Sequence, residues 1–292
     1  MSLVAATVLT AGGVLVILVG LWDMFHTLLH PTGQGRLSTW VLAGAWRLSR
    51  VTGHRVGSAV GPAAMVAVIL LWVALQVLGW AMVYLPHVPD GFTYGSGVDP
   101  ALYPDVVESA YVSAVTLTTL GYGDVVATQP WIRAASPLQA LTGFALLTAG
   151  LTWFTQIYPP LSRRRALALE LKGMAETDLA DDLEADPAVA TRALDTLAAE
   201  VGKVRIDFAQ HSEGFYFQES DPDLSLARQV GYLLTLRDAA LASSDALVRG
   251  SGGRLSLAVE QLSSVLDENF LHRGGEPAEV FTAYATEHGD GP

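Results

Sequence analysis

The chain has 292 residues, 51% of them hydrophobic and 16% charged, with a formal net charge of −12 and no cysteine. Residues 1–160 carry five basic and six acidic side chains and residues 161–292 carry 12 and 23, so a membrane-embedded half precedes an acidic soluble one. That division excludes a wholly soluble enzyme, the acidity excludes nucleic acid as a partner, and the lack of cysteine excludes disulfides, thiolate nucleophiles and cysteine-held metals.

Three apolar runs reach the roughly 20 residues that a helix needs to cross a bilayer: Leu3 to Trp22, Pro62 to Leu85, and Ser136 to Tyr158. The first has no basic residue before it and no clear cleavage site after it, so it reads as a retained helix rather than a signal peptide. It contains Gly12, Gly13 and Gly20 and runs into Asp23, His26 and His30. Asp23 is either a solvated helix end or part of a cytoplasmic cluster with the two histidines, near Arg47 or Arg50. His26 and His30 are four apart on one helical face, which suits pH sensing or weak metal binding.

Residues 38–52 are apolar but interrupted by Arg47 and Arg50, too short to span and suited to the interface. Arg36, Arg47, Arg50 and Arg55 without an acid, and Arg163, Arg164 and Arg165 after the third run, place both segments in the cytoplasm. The segment from Pro86 to Ala135 has Arg133 as its single basic residue and belongs outside. The expected topology is N-terminus outside, three spans and a cytoplasmic C-terminal domain, in the cell membrane. No span carries arginine at every third position, so a voltage sensor is not expected.

Between the second and third runs stands Tyr111-Val-Ser-Ala-Val-Thr-Leu-Thr-Thr-Leu-Gly-Tyr-Gly-Asp124. Non-helical backbone is tolerated at membrane depth only where protein buries it or it lines a water-filled path. Inward-facing carbonyls that coordinate ions supply such a reason, with Gly121 and Gly123 permitting the positive φ angles required. Tyr94-Gly-Ser-Gly97, by contrast, reads as an ordinary turn.

Thr119-Leu-Gly-Tyr-Gly123 resembles the potassium-channel signature Thr-Val-Gly-Tyr-Gly, with Leu120 in place of Val. The resemblance covers about residues 62 to 158 and implies a pore domain over 62–160: outer helix, pore helix 105–118, filter 119–123 and inner helix. It further implies that the carbonyls of Thr119, Leu120, Gly121 and Tyr122 hold K+, with the Thr119 hydroxyl closing the innermost site. Asp124 would form a carboxylate ring at the outer mouth or bond behind the filter to Tyr111, and the two roles are compatible. Gly143 lies where the family often has a hinge, although Gly143 and Gly150 also suit close helix packing. Pro159-Pro160 either ends the inner helix or bends it at the cytoplasmic exit.

Some bacterial relatives carry a glutamate nine residues before the filter aspartate, paired with it in filter inactivation; here that position is Val115, so such inactivation is not expected. One filter per chain implies a homotetramer in the lipid bilayer and argues against four-repeat uptake transporters. Intact Tyr122 argues against non-selective relatives. No cofactor beyond K+ is implied.

Residues 161–292 read as a helical bundle. Leu194, Leu197, Val201, Val204 and Phe208 mark one apolar face; Leu226, Val230, Leu233 and Leu241 a second; Leu255, Val259, Leu262 and Phe270 a third, after a break at Gly250 to Gly253. Asp186-Pro187 and Asp221-Pro222 open the first two helices. Residues 211–218 form an aromatic loop suited to core packing or to a ligand. The domains are therefore an N-terminal helix 1–30, an interfacial segment 31–61, the pore 62–160 and the bundle 161–292. The expectation is an all-α, non-enzymatic, potassium-selective channel whose bundle controls gating. The competing reading is a membrane-anchored scaffold with a vestigial pore.

Overall fold

Each apolar run folds as a helix longer than the run itself. The computed structural model describes residues 2–29, 35–53, 55 and 57–290. Helices α1 (Leu3–Leu28), α3 (Val60–Tyr84) and α5 (Pro130–Glu176) carry the three runs, the last residue of the second, Leu85, falling in the 3-10 turn after α3. Among the described residues these helices, α3 with its flanking turns, are long and apolar enough to cross a membrane. Helix α2 (Arg36–Val51) lies between the first two and α4 (Asp105–Leu117) between the last two. After α5 come α6 (Pro187–Gln210), α7 (Leu226–Gln229), α8 (Tyr232–Ala242), α9 (Ala246–Leu266) and α10 (Pro277–Glu287). The fold is that of an all-α membrane protein; strands β1 (Phe92–Tyr94) and β2 (Val125–Ala127) form a two-stranded antiparallel ladder with Thr93 opposite Val126.

The contacts divide the chain into two units. In the first, which holds α1, most of α3, α4 and the start of α5, small residues let helices approach. A Cβ on Gly13 would lie 2.5 Å from the carbonyl oxygen of Gly79, and one on Gly20 2.9 Å from Gln76 Nε2. Close approach of this kind is how helices associate where lipid offers no hydrophobic gain. Ile17, Val83, Tyr84, Phe92, Val112 and Ile132 form a buried cluster there.

The second unit holds most of α2, the end of α5 and α6 to α10. Asp186 caps α6 by accepting from Ala188 and Val189 N–H at 3.1 and 3.2 Å, and all five residues of the first apolar face are buried. Asp221-Pro222 opens only a single 3-10 turn, Pro222–Leu224, and the second face is split between α7 and α8. Leu226, Val230 and Leu233 are buried as expected, but Leu236 and Ala240 continue the stripe while Leu241, a further 100° around α8, is exposed. The expected break at Gly250 to Gly253 is absent, because α9 runs through it. Ala240 of α8 explains this: a Cβ on Gly252 would stand 2.9 Å from the Ala240 Cβ. The aromatic loop is core: Phe215 is 3% exposed and stacks on Phe270 at 4.3 Å.

Candidate ion-conduction site

Asp105 and Glu108 lie in the first turn of α4, where carboxylates favour the positive end of the helix dipole. Pro104 occupies the N-cap, and the helix stops at Leu117 with Thr118 as its C-cap. The chain is then tied back to the last turn: Thr119 N–H donates to the Thr116 carbonyl and Leu120 N–H to that of Val115, both at 3.0 Å. From there φ is positive at every second residue, +57° at Thr119, +51° at Gly121 and +78° at Gly123. The two glycines adopt this without penalty. Thr119 adopts it against its Cβ, at a cost of about 1–2 kcal/mol, a feature the sequence did not signal. Among the described residues no backbone N–H donates to the carbonyls of residues 119–123.

The exit of this segment is held from outside. Tyr111 Oη donates to Asp124 Oδ2 at 2.5 Å, so the Tyr111–Asp124 bond expected from the sequence is formed. Gly95 N–H donates to the Asp124 carbonyl at 2.6 Å, and the β1–β2 ladder continues from there. The turn at Tyr94 to Gly97 thus begins where the ladder ends, a pairing invisible to local pattern.

Helix α4 is held by a buried polar network that sequence reasoning missed. Gln139 of α5 donates from Nε2 to the Ser113 carbonyl and hydroxyl, both at 2.9 Å. Tyr84 Oη donates to Gln139 Oε1 at 2.7 Å, and Ser113 Oγ to the Val77 carbonyl at 2.8 Å. Gln139 is fully buried, and a glutamine within a membrane span was the one available signal. Gly143 sits against the end of α4: a Cβ there would fall 1.7 Å from the Leu117 carbonyl oxygen. The structure therefore gives Gly143 a packing role, and α5 is continuous through it. It is continuous through Pro159 and Pro160 as well, so Pro159 does not end the helix.

Of Asp23, His26 and His30, the first two are described, and the donors that Asp23 meets come from Leu37, Ser38 and Trp72. Asp23 is 3% exposed, not solvated. Its carboxylate accepts from Leu37 N–H at 2.8 Å, Ser38 N–H at 3.2 Å, Ser38 Oγ at 2.5 Å and Trp72 Nε1 at 2.9 Å. It thereby serves the first turn of α2, where unpaired N–H groups and the helix dipole favour an anion. The His26 Nδ1 lies 2.9 Å from the Trp22 carbonyl of its own helix, and His30 lies outside the described residues. Among the described residues no group of histidine and carboxylate side chains is arranged to hold a metal. Arg50 is paired instead with Glu287.

The three arginines after the third run lie inside α5 and are all engaged. Arg163 makes a two-pronged contact with Asp207 at 2.8 and 2.6 Å. Arg164 is buried and donates to the Gly214 and Phe217 carbonyls at 2.6 and 3.1 Å and to Glu219 at 2.9 Å, and Arg165 also reaches Glu219. Beside them Glu213 raises the His211 pKa above its ordinary value, against the opposing effect of burial.

Residues 68–158 match the family model described as ion channel. The match opens within α3 and closes within α5, so it brackets α4, the Thr119–Gly123 segment and the ladder. That family is one of channels, not of enzymes. No curated protein and no solved structure matches the chain. The protein is thus an all-α membrane protein in which residues 68–158 are similar to an ion-channel family.

Proposed function

We propose that the chain assembles as a homotetramer into a potassium-selective channel of the cell membrane, with its N-terminus outside and its C-terminal bundle in the cytoplasm. One observation carries the reading: the Thr119–Gly123 backbone, with left-handed φ at alternate residues and carbonyls that no described backbone N–H engages. Carbonyls of Thr119, Leu120, Gly121 and Tyr122 from four copies would replace the hydration shell of K+, with Asp124 carboxylates around the outer mouth. The exposure of the single chain supports assembly. Leu120 and Tyr122 are 53% and 70% exposed, and α5 presents Leu138, Leu141, Phe144, Leu147 and Leu151 uncovered. The continuity of α5 into its arginine contacts supports control of the pore by the bundle.

Flux from liposomes under potassium and then sodium gradients, with barium as a blocker, tests the reading. Potassium-selective, barium-sensitive flux is expected from the tetramer. Gly121→Ala is expected to abolish selectivity while leaving assembly intact, because a Cβ opposes φ of +51°. Unchanged potassium flux in that variant, or a protein that is monomeric or dimeric in native mass spectrometry, would refute the assignment and favour a scaffold.

A further inference from the structure

His288 follows the last residue of α10 and is 6% exposed. Its Nδ1 lies 3.0 Å from the carbonyl oxygen of Tyr284, and its Nε2 lies 2.9 Å from that of Phe215. A carbonyl oxygen accepts hydrogen bonds and donates none, so both ring nitrogens face acceptors. A neutral imidazole has one N–H; it would satisfy one carbonyl and set a nitrogen lone pair against the other. An imidazolium donates to both.

Aromatic rings enclose the histidine. The rings of Trp46, Phe215 and Tyr284 have centroids 4.9, 5.0 and 4.5 Å from the histidine ring, inside the roughly 6 Å range over which aromatic rings attract a positive charge. Trp46 belongs to α2, Phe215 to the turn after α6 and Tyr284 to α10. We propose that His288 is an imidazolium clasp that fastens α10 to this turn and to α2, and that loss of its proton as the cytoplasmic pH rises opens the clasp.

The charged and titratable groups around the ring are consistent with this. On α10 and beyond it stand Tyr284, whose complete burial pushes its phenol up to about 12 and keeps it neutral, Glu287, and Asp290. Arg164 of α5, Glu219 and Asp290 line one small cavity with His288. Arg164 and Glu219 are paired at 2.9 Å and Glu287 is paired with Arg50 of α2, so these charges offset one another. Asp290 accepts from Ser225 Oγ at 2.5 Å. Glu213 and Tyr216 lie on the Phe215 turn, Arg47 of α2 is solvent-exposed and screened, and Arg165 of α5 is partly exposed and paired with Glu219. Once His288 is neutral, one of its two hydrogen bonds is lost, and the Arg50–Glu287 pair remains as the ionic tie between α2 and α10.

Solid-state nitrogen spectra of the full chain in liposomes, labelled at histidine and assigned through the α10 backbone, test the protonation state. Both ring nitrogens of His288 are expected to carry protons at pH 6 and one is expected to lose its proton by pH 9. Amide exchange over residues 277–288, corrected for intrinsic rates, is expected to accelerate at least tenfold through the same titration, and His288→Gln to remove that pH dependence. A neutral ring at pH 6, or exchange that ignores the His288 titration, overturns the clasp; the spectrum of the unaltered protein decides this even where the variant is unstable. A consequence for the pore rests on the channel reading. Since neither readout involves flux, an absent potassium current beside an intact titration would remove that reading and leave the clasp.

Discussion

A carboxylate near the end of a membrane span is stable only where donors surround it, and Asp23 meets four across two other helices. Asp23→Ala would leave two backbone N–H groups and the Trp72 indole N–H buried without an acceptor, at about 1–3 kcal/mol each. We expect a large fall in the thermal midpoint of the detergent-solubilised protein, and a smaller one for Asp23→Asn, which keeps one acceptor oxygen. A midpoint for Asp23→Ala equal to the parent's would show that these bonds contribute nothing. Legibility at this scale depends on whether a residue's chemistry can be used in more than one way. Gly121 and Gly123 announced their positive φ because glycine alone adopts it freely; Thr119 adopts it with no mark in the sequence. Asp23 offered two plausible environments and occupies a third, because its donors arrive from positions 14, 15 and 49 residues further on.

Helices are set by periodicity, but their ends and contacts are set by neighbours. The spans, α4 and the apolar face of α6 could be read from spacing alone. The glycines of α9 could not, since Gly252 serves as a contact for Ala240 rather than as a breaker. Pro159 and Pro160 likewise fail to stop α5, where Ile157, Leu161, Leu167 and Leu171 are buried and outweigh two missing backbone donors. Two glycines of α5 make a test of element packing. Gly143→Ala would place its Cβ 1.7 Å from a backbone carbonyl, whereas Gly150→Ala meets only the Ile69 Cδ1 at 3.2 Å, which can turn aside. Flux and tetramer yield should collapse for Gly143→Ala and remain near the parent's for Gly150→Ala. Equal tolerance of both substitutions would mean that the contact of α4 with α5 does not position the Thr119–Gly123 segment.

At the scale of the whole molecule, an ion that binds only the assembled filter stabilises the assembly by mass action. Replacing K+ by Na+ at constant ionic strength should therefore lower the dissociation temperature of the tetramer, in proportion to the logarithm of K+ concentration once the sites saturate. A midpoint unmoved by this exchange would argue that the Thr119–Gly123 segment holds no K+. Leu120 and Tyr122 are exposed in the single chain, and the proposed tetramer would cover them with further copies.

What the sequence by itself determined was the division into a membrane half and an acidic helical half, the three spans, the extent of α4, and the Thr119–Gly123 segment. Each depends on local facts, namely apolar run length, helical spacing and the special freedom of glycine. Only the tertiary structure decided that Asp23 caps α2, that Gln139 and Gly143 hold α4, that the ladder at Thr93 and Val126 follows the Thr119–Gly123 segment, and that His288 faces two carbonyls. Those depend on groups far apart in the chain, and a buried polar side chain carries no local sign of which distant partner will satisfy it.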